Sequence, residues 1–255
     1  CELFPGEYFH IGGDEVPHEN WENCPLCREK MKRMGISDMR AYQGAFENRI
    51  AGYLLEKGKK VIAWNDAADG GNLDQRIILQ YWATDRDERL AEHLRKGGDI
   101  IISPTTHCYF DYPYGITSLK KAYETDLNPE GLREALRLGK GRVLGTEGLL
   151  WTEHIRTPQK LEEYAWPRLA AIAAVAKYGE DRPPFEDFLR DLKEKLPALE
   201  ALGIAVHPEE DWVPDEAEST RQREEFYRNY DEEAVRRFQE EASRGGKTDG
   251  ISEGI

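Results

Sequence analysis

Residues 7–16 read Glu-Tyr-Phe-His-Ile-Gly-Gly-Asp-Glu-Val: a short apolar run broken by two glycines and followed at once by two adjacent carboxylates. A run this short and continuous suits a strand covered on both faces, as in a parallel sheet. Four more runs of the same kind follow, at 60–63 (KVIA), 76–80 (RIILQ), 99–103 (DIIIS) and 142–145 (RVLG). Helical patterns occupy 39–57, 86–96, 129–138 and 159–178, and Gly58 and Gly97 stand just past two of them, as helix C-terminal glycines do. Strand and helix alternating at this spacing predict an α/β fold, either a doubly wound sheet or part of a (β/α)8 barrel.

The chain has 255 residues, 35 Lys and Arg against 49 Asp and Glu, and a formal charge of −14. Hydrophobic residues at 39% and aromatics at 10% are those of a folded chain with a core. The acidic balance argues against nucleic acid or an anionic membrane surface, which demand clustered Lys and Arg, and no apolar run is long enough for a membrane span. Four cysteines are too few for a disulfide scaffold. Cys24-Pro-Leu-Cys27 lacks the second pair that a structural zinc site wants, and reads as reduced thiols in a loop. The cellular compartment stays open.

Each run leads into a polar or aromatic cluster: Asp14-Glu15, Trp64-Asn65-Asp66, Tyr81-Trp82, Tyr109-Phe110-Asp111, and Trp151-Thr152-Glu153, the last two a few residues into the loops beyond their runs. The C-terminal ends of parallel strands share one face, where ligands bind, so five distant segments converge on one pocket. Indole faces together with carboxylates, without a Lys or His cluster, suit a sugar: rings stack on apolar pyranose faces and carboxylates accept from hydroxyls. Phosphate would want a Gly-rich loop with Lys or Arg, and Gly12-Gly13 does not open a helix in the dinucleotide-binding manner. Two neighbouring carboxyls at a buried strand end repel, which favours holding one protonated, as a general acid requires. Residues adjacent in sequence are nevertheless badly placed to flank a scissile bond, so the substrate itself becomes the candidate nucleophile.

His10-Ile11-Gly12-Gly13-Asp14-Glu15-Val16 resembles the signature of glycoside hydrolase family 20, the β-N-acetylhexosaminidases. Ala63-Trp64-Asn65-Asp66, Gln80-Tyr81-Trp82, Tyr109-Phe110-Asp111-Tyr112-Pro113, Leu150-Trp151-Thr152-Glu153, Pro167-Arg168-Leu169 and Ala201-Leu202-Gly203-Ile204 follow in that family's order, so the likeness runs from residue 7 to about 206. It implies a (β/α)8 TIM-type barrel, and a retaining, substrate-assisted removal of terminal β-linked N-acetylhexosamine (GlcNAc or GalNAc) through an oxazolinium intermediate, without cofactor or metal. By the same resemblance Glu15 is the general acid and base, Asp14 orients the 2-acetamido nitrogen, and Tyr109 bonds the acetamido oxygen. Trp64, Trp82 and Trp151 wall the sugar, and Asp111 and Glu153 bind hydroxyls. Glu147 stands where the family often has Gln.

The likeness also implies that the acidic pair closes the fourth of eight strands. The expectation is therefore an incomplete barrel, with about strands 4–8 present at 1–206, lacking the sugar-clamping arginine of the first strand. On this reading the chain is the C-terminal part of a larger enzyme and inactive alone; the alternative, motivated by the missing strands, is a non-catalytic sugar-binding or assembly module. A metal-dependent hydrolase using His10, Asp14, Glu15 and His18 is a third reading, which leaves the tryptophans without a role. His10 itself reads as a core histidine. Residues 185–202 form an amphipathic helix. From Glu209 onward 15 acidic and 7 basic residues mark an acidic tail, set apart at 207–255 as helical or disordered. Phe226, Tyr230, Ala234 and Phe238 repeat there every four residues as one helical seam.

Overall fold

The computed structural model describes residues 1–243, with side chains through Tyr230. Five strands form one parallel sheet: β1 (Tyr8–His10), β2 (Lys60–Trp64), β3 (Ile78–Tyr81), β4 (Ile100–Ile102) and β5 (Val143–Thr146). Their spatial order is their sequence order, each hydrogen-bonded to the next. A doubly wound sheet reverses direction at a switch point, whereas a (β/α) barrel adds every strand on the same side. The order therefore decides between the two architectures left open by periodicity: five consecutive strands of a barrel wall.

The connections carry α1 (Glu19–Asn23), α2 (Pro25–Met34), α3 (Met39–Glu56), α4 (Asp87–Lys96), α5 (Thr105–Cys108), α6 (Leu119–Tyr123) and α7 (Glu130–Leu138). Alternate strand residues face the helices. Val61, Ala63, Leu79, Ile100 and Ile102 pack with Ala51 and Leu54 of α3, Leu90 and Leu94 of α4, and Leu132 and Ala135 of α7 in the larger core. Ile62, Ile78 and Ile101 point the other way and meet in a cluster of their own on the inner face. Trp64 pairs with Gln80 in register and Ile62 with Ile78, so Trp64 and Gln80 share that inner face at the C-terminal end. His10 pairs with Ile62 and belongs to the same face. Expected in the core, it is instead exposed, because the inner surface of β1 is not covered there.

After β5 come α8 (Pro158–Ala165), α9 (Arg168–Tyr178), α10 (Phe185–Ala201) and α11 (Glu216–Ser243). The single helix expected over 159–178 is two, because Pro167 has no N–H to continue the ladder. The expected α10 stripe packs as Phe188, Leu192 and Leu196 into a second core with Phe110, Tyr114, Tyr123, Ile172 and Trp212. Ala234 and Phe238 lie outside the described side chains. Among the described residues no helix is long and apolar enough to cross a membrane, and all four cysteines are free.

Arg168 opens α9 fully buried. Its guanidinium donates to the carbonyls of Phe110 (2.6 Å), Tyr112 (2.8 Å), Thr117 (2.9 Å) and Tyr164 (3.0 Å). It also lies over the Tyr114 and Phe110 rings at 4.1 and 4.9 Å. Burial pulls its pKa down to about 10, so it remains a cation at neutral pH. Arg168→Met would strand those carbonyls and is expected to cost about 3–5 kcal/mol in urea unfolding. Arg168→Lys would recover little of this, since one ammonium cannot reproduce a planar fork spread over several acceptors.

Candidate active site

The turn after β1 presents the acidic pair. Glu15 has φ +47°, a left-handed conformation rare outside glycine, and Gly13 has φ +99°. A Cβ on Gly13 would lie 3.1 Å from both Ala67 Cβ and Glu47 Oε1, so a side chain there would be crowded as well as strained. The turn is held from behind by α3. Gln43 Nε2 donates to the Gly13 carbonyl at 2.8 Å, and Gln43 Oε1 pairs with His18 Nε2 at 3.0 Å. The pair is not buried as expected: the turn leaves Glu15 exposed and Asp14 half-buried. The carboxyl buried behind this turn is that of Glu47, which the sequence reading passed over. Burial, with the Asp14 charge adding to it, raises the Glu47 pKa above the ordinary range.

The Trp64-Asn65-Asp66 cluster divides its labour. Trp64 faces the pocket, while Asn65 and Asp66 are buried supports. Asn65 Oδ1 accepts from the Trp82 backbone N–H at 3.0 Å and Asn65 Nδ2 donates to the Ala83 carbonyl at 3.0 Å. Asp66 accepts from the Trp82 indole N–H and is approached by Arg86 at 3.5 Å. The loop after β2 thereby orients the indole after β3. On the inner face Gln80 Nε2 donates to Ser103 Oγ at 3.1 Å and to Glu147 Oε2 at 2.9 Å, so Glu147 makes a local hydrogen bond with Gln80.

Beyond α5 the chain pairs with the loop after β5, Phe110 N donating to the Leu149 carbonyl at 2.7 Å. Phe110 turns into the second core and its neighbours Tyr109 and Asp111 turn into the pocket. Four rings form an inner box. Trp64 lies 6.4 Å from Trp82 and 5.9 Å from Trp151, and Tyr109 lies 6.2 Å from Trp82 and 6.5 Å from Trp151. Burial raises the Tyr109 pKa further above neutrality, so its hydroxyl is a hydrogen-bond donor at neutral pH. Burial, reinforced by the Glu153 charge and opposed by Arg168, pushes the Asp111 pKa up to about 6. Asp111 Oδ1 is buried and has no hydrogen-bond partner among the described residues.

All eight residues expected at the site line one cavity of about 320 Å³: Asp14, Glu15, Trp64, Trp82, Tyr109, Asp111, Trp151 and Glu153. Thr105, Tyr112, His154, Phe226 and Tyr230 join them. Phe226 and Tyr230 had a visible signal in their four-residue spacing, but nothing in a spacing says what a helix faces. The metal reading does not assemble: His10 Nδ1 accepts from the Gly12 N–H and His18 is bonded to Gln43. Among the described residues no three of His, Cys, Asp and Glu are grouped to hold a metal ion.

The family model "Glycosyl hydrolase family 20, catalytic domain" matches residues 1–177. A beta-hexosaminidase of Porphyromonas gingivalis is 31% identical over 218 residues, which are 80% of this chain and 27% of that protein. The crystal structure of a beta-N-acetylhexosaminidase from Bacteroides fragilis superposes with a TM-score of 0.70 at 27% identity, over 84% of this chain and 45% of that one. A family 20 exo beta-N-acetylglucosaminidase from Vibrio harveyi, solved in complex with N-acetylglucosamine, gives 0.69 at 26% identity, over 83% and 34%. The chain spans less than half the length of these relatives.

Asp111 yields a stability test. Its carboxyl titrates near 3.9 when unfolded and at about 6 when folded. Between those values the folded state holds the proton more tightly, so this group makes the protein lose stability as pH rises from about 4 to 6. Urea midpoints across that range should fall for the wild type relative to Asp111→Asn, and run parallel above it.

Proposed function

The chain belongs to glycosyl hydrolase family 20, and on that premise we propose that its pocket takes the terminal, non-reducing N-acetylhexosamine of a β-linked glycan and serves its hydrolysis with retention of configuration. One observation carries the reading: an acidic pair opens onto a box of three indoles and a tyrosine, with unsatisfied carboxylate capacity at Asp111. The indoles offer faces to the pyranose and its acetamido methyl. Asp111 and Glu153 accept from ring hydroxyls, and a sugar O–H satisfies the buried Asp111 Oδ1, relieving the cost of an unpaired acceptor.

In this scheme the acetamido oxygen attacks the anomeric carbon as the glycosidic C–O bond breaks. Glu15 gives its proton to the departing oxygen. The resulting oxazolinium carries its positive charge at the acetamido N–H, which Asp14 faces as a carboxylate, while Tyr109 donates to the acetamido oxygen and aims it. Glu15, now a carboxylate, takes a proton from water as that water opens the ring, and returns to its starting state. The two inversions restore the original anomeric configuration. An internal nucleophile held in an aromatic box gains from proximity, and the rings shield the intermediate from stray water. The family's behaviour as a substrate-assisted exception is a known property of these hydrolases, and the Vibrio harveyi relative's complex with N-acetylglucosamine supports the ligand class.

In the larger enzyme of which this chain is read as the C-terminal part, Glu15→Gln should lower kcat on an aryl β-N-acetylglucosaminide by about 10²–10⁴ with KM little changed. Wild-type rates in that variant would remove the proton donor from the scheme. Asp14→Asn should lower the rate on the same substrate by about 10²–10³. Equal wild-type turnover of the plain β-glucoside would overturn substrate assistance.

A further inference from the structure

Cys24-Pro25-Leu26-Cys27, read in the sequence as thiols in a loop, instead opens α2. Cys24 ends α1 and caps the start of α2. Its N–H donates to the Trp21 carbonyl at 3.2 Å, and its carbonyl accepts from the Arg28 N–H at 3.0 Å. Pro25 takes the first helical position, where its missing N–H costs nothing. Cys27 therefore stands third in the helix, the position over which a capping side chain reaches back. A helical turn sets Cα atoms three residues apart at about 5 Å, within the range that a disulfide bridges.

This pair differs from the core cysteine. Cys108 is fully buried, and desolvation pushes its thiol up to about 11, which makes it an inert sulfur at neutral pH. Cys24 and Cys27 are free and only half-buried. Cys27 lines a cavity of about 290 Å³ between α2 and α3, together with Trp21, Met34, Tyr42 and Phe46. Met34 and Phe46 are exposed, so the cavity opens to solvent and a small molecule can reach the pair. Tyr42 is fixed beside the thiols, edge-on to Trp21 at 5.5 Å and with Lys30 6.0 Å from its ring centre.

The two sulfurs are not equivalent. The nearby Cys27 N–H and thiol hold the Cys24 thiol below its ordinary pKa, with Arg28 adding to the effect. The Cys24 sulfur, together with burial, pushes the Cys27 thiol up. Cys24 is thus the one that ionises first and attacks, as thiolates do. Two sulfurs alone do not make a metal site, and among the described residues no third His, Cys, Asp or Glu joins them.

We propose that Cys24 and Cys27 are a reversible dithiol–disulfide pair, in which Cys24 attacks a small-molecule disulfide and Cys27 resolves the mixed disulfide. In the first step the Cys24 thiolate bonds to one sulfur of the small disulfide. The S–S bond of that molecule breaks, and its second sulfur leaves as a thiolate and takes a proton from water. In the second step the Cys27 sulfur, its proton given to water, bonds to Cys24 Sγ and expels the other thiolate. Together the two cysteines lose two electrons, and the small disulfide gains them as two thiols. The pair lies outside the sugar pocket, and the inference does not rest on the proposed function.

The test uses the full chain carrying Cys1→Ser, which removes an exposed thiol, incubated with oxidised glutathione and quenched with acid. Its mass is expected to fall by about 2 Da with no glutathione retained, and dithiothreitol to reverse the change. Peptide mapping should place the new bond between Cys24 and Cys27. With Cys27→Ser added, the reaction should halt at one glutathione on Cys24. With Cys24→Ser added instead, glutathionylation should be about tenfold slower, because the remaining thiol ionises less readily. A Cys1→Ser chain that keeps both thiols, or that stops at a glutathione adduct, overturns the pair. Equal rates in the two added serine variants overturn Cys24 as the attacking sulfur.

Discussion

A single buried guanidinium ties the second core to the loop that brings part of the pocket into place. Arg168 lies between the second core and the loop that bears Tyr109, Asp111 and Tyr112, and its guanidinium donates to four backbone carbonyls. A cation taken out of water costs several kcal/mol unless its donors are met and its charge is balanced. Here carbonyl dipoles and the faces of Tyr114 and Phe110 perform that balance. The arrangement fixes a loop that has no strand ladder of its own beyond the bridge between Tyr109 and Leu149. Because the acceptors are main-chain atoms, the loop's course is held whatever its side chains do, which frees Tyr109 and Asp111 to face a ligand.

Around that anchor the pocket is built in layers, each supported by the next. The indole of Trp82 is aimed by Asp66 and the backbone beside it is pinned by Asn65. The acidic turn is held by Gln43, itself held by His18. Such supporting hydrogen bonds are what the proposed scheme asks for, in which the reagent is the ligand's own acetamide, because intramolecular attack gains its advantage from orientation. Exposure follows the same logic. Glu15 is exposed, as the proposed proton donor to a leaving group has to be, while Tyr109 and Asp111 are buried beside the box.

Some of this was legible in the residues alone. The five strands appear where short β-branched runs predict them, since a strand covered on both faces has little latitude in composition. Position at a strand's C-terminal end or in the loop beyond it was enough to nominate Trp64, Trp82, Tyr109 and Asp111, because parallel strands deliver their C-terminal ends to one face. Gln43, Glu47 and Asn65 were not legible as supports, for each acts through a contact with a residue far along the chain. Pro167 shows a nearer limit. Helical periodicity runs through it without interruption, and what it divides is visible in the two helices on either side.

Local chemistry and pattern thus determined the secondary elements, the α/β class and the residues gathered at the strand ends, because each depends on a few neighbouring side chains and a fixed repeat. Tertiary structure alone decided the sequential strand order that makes this a barrel wall. It also decided the exposure of Glu15 at a left-handed turn, the orphaned oxygen of Asp111, and the meeting of Phe226 and Tyr230 with a pocket begun some two hundred residues earlier. Those features arise from which surfaces touch, and spacing along a chain does not record what a helix will find in front of it.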